Sequence, residues 1–340
     1  MNEFDSLLKK FARPVEEAVE KYDLDEQQTE TLIADLLSGG AAELKQILLQ
    51  TAPKMIKRES QATRGFEKRN YRRWKEALDL LAVIWRICSE IGEAHAHDGP
   101  GDGSATVFLA LSHLHPRSLL ICNEIQCLLK GGYADAALSR WRTLHEVCVT
   151  IMFISKHKEV AARNYLLSQS FERQRALRQY SEYQERAGLT PFPEDEKKKI
   201  EEEARKAKEI LGYEIGRDFD WAAKVLSKKR ITFLEVEKEV EMDHWRPRVR
   251  WASQHTHAGY VPPDKYLGMS EAKEAFFQVG PSNSGLVDPI QMTAISQMNA
   301  TVNFIMFPEP RFERVLFAQV LNSLLEDLED AVLQASSRTK

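Results

Sequence analysis

Cysteine is scarce. Only Cys88, Cys122, Cys127 and Cys148 occur in 340 residues, and no two form a Cys-x-x-Cys pair. Neither a disulfide framework nor a zinc ribbon is expected, and all four read as buried reduced thiols, because free cysteine packs as a small core residue. Long hydrophobic runs are missing too. The most continuous, Val147 to Ile154, is interrupted by Thr150 and falls far short of the ~20 residues that cross a bilayer. Met1 to Lys10 carries acids and no apolar h-region, so no signal peptide is expected, no membrane partner is assigned, and the cytoplasm is the expected compartment. Neither sign of charge dominates: 47 Lys and Arg stand against 51 Asp and Glu, a formal net charge of −4. The chain as a whole therefore lacks the basic footprint of a duplex-wrapping protein, which leaves room for a local basic patch. Period-two alternation is nearly absent, as are hairpin turn pairs and repeats of fixed period. A phosphate-cradling Gly-rich loop, a nucleophile elbow, an HExxH helix and a dinucleotide fingerprint are absent as well.

What remains is helical periodicity. Three short N-terminal helices are expected, Glu3 to Lys21, Asp25 to Leu37 and Ala41 to Gln50, punctuated by Gly39-Gly40 and Pro53. Lys54 to Arg73 is strongly basic and reads as a linker entering a new helix. It is either a solvated helix face or a contact for phosphate or an acidic partner. Tyr71 to Glu93 repeats apolar residues at three- and four-residue spacing, and the Gly-Pro-rich stretch His97 to Gly103 must be a loop. A helix is expected to start at Pro116 and stop at Gly131-Gly132. The next begins near Asp135, reaches Lys156, and is apolar nearly all round from Val147 to Ile154, which marks burial on most sides. Further helices are expected over Asn164 to Arg186, Glu194 to Leu211, Pro247 to Ala258, Asp288 to Met306 and Phe312 to Gln334, with two short ones between Asp220 and Val240. The fold class is all-α: a multi-helix bundle over 65–335 behind a small N-terminal helical region, 1–64.

Two clusters could carry chemistry. In Arg140-Trp141-Arg142-Thr143-Leu144-His145-Glu146, Arg142 and Glu146 are one turn apart and share a helix face. Both are expected to be largely buried, with His145 beside them. Glu146→Ala would then cost about 3–5 kcal/mol by stranding a guanidinium. The pair either fixes helix register or lines a polar site. The second cluster is Arg248, Arg250, Ser253, His255 and His257 on about two and a half turns. Arginine is a planar donor to phosphate, and histidine moves a proton near neutral pH. Together they suit phosphodiester cleavage without metal, His255 transferring the proton and Arg250 stabilising the charged transition state. A surface basic helix is the other reading. Three His-x-His pairs, at His95, His113 and His255, suggest zinc on paper. On a helix, however, that spacing turns the two rings about 200° apart, so no metal and no cofactor is assigned.

The run Arg117-Ser118-Leu119-Leu120, Glu124-Ile125, Gly131-Gly132-Tyr133, Ala136-Ala137 and Arg142-Thr143-Leu144-His145-Glu146 resembles a bacterial helical family known as domain of unknown function five-six-seven-seven. The likeness continues in Ala161-Ala162-Arg163-Asn164-Tyr165 and Ser253-Gln254-His255. That family is distantly similar to the HEPN helical domains, which pack as bundles, often dimerise and in many members cleave RNA with an arginine followed four to six residues later by a histidine. Arg250 and His255 match that spacing, with Trp251 where HEPN members usually carry a polar residue. The resemblance thus implies a metal-independent ribonuclease in defence or stress, RNA as partner and a homodimer. The alternative is a non-catalytic helical interaction or sensor module, whose N-terminal helices would meet a protein partner. A nuclease site should place Arg250 and His255 in one exposed cleft.

Overall fold

The computed structural model describes residues 17, 21–22, 25–274 and 276–337, and of residues 32 and 35–39 the backbone alone. The helix expected over Glu3 to Lys21 lies almost wholly outside them. The described residues contain helices and no strand. They fall into two units, one up to Lys68 and one from Arg69 onward. Helix α1, Glu26–Asp98, contributes to both.

Within α1 the expected punctuation fails. Gly39-Gly40 and Pro53 sit inside the helix. Each glycine costs about 1 kcal/mol and the proline removes one ladder hydrogen bond. Long stretches of Ala, Glu, Gln, Leu and Lys on either side are strong helix formers and carry the helix across. From Trp74 onward one face of α1 is core: Trp74, Ala77, Leu78, Leu81, Ile84 and Cys88 are all buried.

Helix α2, Ala105–Lys130, starts eleven residues before Pro116, which lies in its interior. The start signal is Ser104, whose hydroxyl caps the Val107 amide at 3.3 Å. By length and composition α2 is apolar enough to cross a membrane; here Leu111, Ile121, Ile125 and Leu129 pack into the core. Gly131 and Gly132, the latter at φ 77°, end it as expected. Helix α3, Ala134–Tyr183, contains the buried run Val147–Ile154, with Met152 alone partly exposed. Lys158, at φ 51° and ψ −127°, breaks α3 into two arms, 134–157 and 159–183.

Helix α4, Glu194–Leu211, follows Pro193 and closes on a left-handed Gly212, whose amide donates to the Lys208 carbonyl. Two short helices follow, α5, Phe233–Glu239, and α6, Arg246–Gln254. The closing pair is α7, Val287–Ile305, and α8, Phe312–Ser337. Helix α3 is the hub, packing against α2, α4, α6 and α7. All four cysteines are free thiols. Cys127 is exposed, contrary to expectation, because it faces away from the buried line Cys122, Ile125 and Leu129.

Candidate functional site

The Arg142–Glu146 segment divides its residues between two environments. Leu144 and His145 face the core. The His145 ring stacks on Trp141 at a centroid distance of 5.1 Å, and its Nε2 lies 3.0 Å from Glu237 Oε1 on α5. Both side chains are fully buried. The other Glu237 oxygen accepts from Arg246 at 2.8 Å, so this buried carboxylate is shared between an imidazole and a guanidinium that reaches solvent.

Arg142 and Glu146, on the adjacent face, pair at 2.9 Å with 32% and 27% of their side chains exposed. The expected pair therefore forms, but it lines a cleft rather than being sealed in. That cleft has a volume of about 910 Å³. His113 and Arg117 of α2, Arg142 and Glu146 of the first α3 arm, Tyr165 and Glu172 of the second, and Asp218, Phe219 and Trp221 of the turn after α4 form its walls. On a straight helix Glu146 and Tyr165 would lie about 28 Å apart. They share one cleft because the break at Lys158 folds the second arm back. Asn164 pins the turn in place, its amide donating to the Trp221 carbonyl at 3.2 Å.

The cleft perturbs its acids. Desolvation raises the Glu146 carboxyl above its ordinary range; Arg142 opposes this, and the nearby Asp218 and Glu237 add to it. Desolvation also raises the Tyr165 phenol, partly offset by Arg117. A carboxyl raised above its ordinary range, two guanidiniums and three aromatic side chains, of which Trp221 is itself buried, border the space. Its guanidiniums can donate to an anion and its carboxylates can accept from a ring edged with hydrogen-bond donors.

The second cluster is dispersed. His255 is turned inward with 5% of its side chain exposed, its Nε2 3.3 Å from Asp135 Oδ1. Asp135 also accepts the Leu267 amide at 2.8 Å and the Gly268 amide at 3.3 Å, which ties the loop after α6 to the start of α3. Ser253 donates to the Val249 carbonyl of its own helix at 2.8 Å. Arg248 pairs with Asp288 at 3.2 Å and lies over the Trp245 ring. Arg250 and His257 are exposed. Among the described residues no hydrogen bond or ion pair joins Arg250 to His255.

The His-x-His pairs diverge as helix geometry requires. His95 and His115 are buried and each packs against Phe304, whereas His97 and His113 are exposed. Among the described residues no group of three or more His, Cys, Asp or Glu is placed to hold a metal ion.

Residues 108–275, just under half of the chain, match the model of the family described as family of unknown function (DUF5677). Every wall of the cleft falls inside this segment. No curated protein and no solved structure matches the chain.

Proposed function

We propose that the protein is a helical binding module that recognises a nucleotide-like ligand in the α2–α3 cleft. One observation carries this reading. A cleft of about 910 Å³, within the range of small-molecule sites, is built wholly from the matched segment and combines Arg117 and Arg142 with the partly exposed rings of Tyr165 and Phe219. The guanidiniums offer planar donors to phosphate, the rings a stacking surface, and Glu146 and Asp218 acceptors for base amino groups. This develops the sensor-module alternative. The ribonuclease reading calls for Arg250 and His255 at one open site, and the inward turn of His255 onto Asp135 favours the binding module instead.

The test is thermal denaturation against a panel of nucleoside mono-, di- and triphosphates and inorganic phosphate. A nucleotide at 100 times its Kd stabilises by about 2.7 kcal/mol, a readily measured rise in Tm. No rise with any nucleotide contradicts the reading. RNA cleavage that His255→Ala abolishes would reinstate the nuclease.

A further inference from the structure

The first unit carries a feature the cleft does not use. At 3.6 residues per turn, Lys54, Lys57, Arg58, Arg64 and Lys68 of α1 fall within about a third of the helix circumference. The other two positions in that arc are Gln61 and Gly65, so no acid interrupts it. All five cationic side chains are exposed. The stripe runs about 21 Å along the helix axis, in a chain whose formal net charge is −4. Glu59 and Glu67 project from other faces.

We propose that this stripe is a docking surface for the phosphate backbone of a nucleic acid. The arrangement selects among polyanions. A row of cations spread along one face of a straight helix, at intervals of one to six residues, fits an extended line of charges. Met55 and Ile56, the exposed apolar residues of this stretch, point away from the stripe. A helix lying on a membrane would have to present both to one surface, and an acidic protein would need apolar anchors beside the charges. Gln61 is the only neutral hydrogen-bonding side chain on the face. The surface therefore reads charge and not base sequence, and RNA and DNA should bind alike.

Fluorescence anisotropy of the full chain with labelled single-stranded RNA and single-stranded DNA of mixed sequence tests this. With all five cations engaged, log K should fall against log salt with a slope of about −3.5 for either strand. The double variant Lys57→Gln/Lys68→Gln should flatten that slope by about 0.7 per lysine, to about −2.1, with α-helical circular dichroism unchanged because both side chains are exposed. Arg117→Ala in the cleft should leave the slope alone, which separates this surface from the proposed nucleotide site. Three results would overturn the proposal: no binding at about 50 mM salt, a slope unmoved by the lysine variant, or displacement of the strand by poly-glutamate at equal charge. If the double variant loses helicity, Lys57→Gln alone must still show its share of the flattening.

Discussion

At the scale of single residues, burial decides what each charge is worth. Glu237 is fully buried between His145 and Arg246. Glu237→Ala leaves a buried imidazole and a half-desolvated guanidinium without their acceptor, and should cost about 3–5 kcal/mol in chemical denaturation. Glu146 is the contrasting case. Its pair with Arg142 is close to one-third exposed, so the cost of Glu146→Ala falls to about 1 kcal/mol or below, not the larger figure that full burial implied. A loss above that for Glu146 and below it for Glu237 would reverse this assignment of core and cleft. Packing gives a third test: a Cβ at Gly92 would lie 2.1 Å from the His115 ring, which is held against Thr301 at 3.0 Å. Gly92→Ala should therefore destabilise by about 1–3 kcal/mol through overpacking.

At the scale of elements, the α3 break makes the cleft. Lys158 occupies a region of φ and ψ that favours glycine, which stores about 1–3 kcal/mol in a residue bearing a Cβ. Lys158→Gly should keep the two arms in place and hold or raise Tm, whereas Lys158→Ala should gain nothing. A fall in Tm for the glycine variant would show that the Lys158 side chain matters more than its backbone. Helix ends were legible where backbone chemistry marks them, as at Pro193 and Gly212 around α4 and Gly131-Gly132 after α2. Pro53 and Pro116 misled because a proline weakens a helix without ending it when its flanks are strong. The break at Lys158 was invisible, since lysine is an ordinary helix former and tertiary packing imposes the turn.

At the scale of the whole molecule, the buried histidines set the acid limit. Burial holds His95 and His115 down to about 4, from 6.5 in the unfolded chain. Above pH 6.5 both states are neutral and stability is full. As pH falls from 6.5 towards 4 the unfolded chain takes up protons that the fold refuses, so stability is lost across that window. Tm should be flat above it and decline within it, and His115→Gln should soften the decline.

The candidate site was only half legible in the sequence. One-turn spacing revealed the Arg142–Glu146 pair. Arg117, Tyr165, Asp218 and Trp221 carry no local signature, because only the folded-back arm and the Asn164 clamp bring them to the same space. The Arg250 and His255 spacing, in turn, said nothing about which way each side chain points. The most direct measurement is isothermal titration of a nucleoside triphosphate into the wild type, Arg142→Ala and Arg250→Ala proteins. The cleft reading predicts saturable binding that Arg142→Ala weakens about tenfold or more, the loss of roughly 1.4 kcal/mol or more that removing one charged donor entails, with Arg250→Ala unchanged. Affinity lost in Arg250→Ala and retained in Arg142→Ala would contradict it.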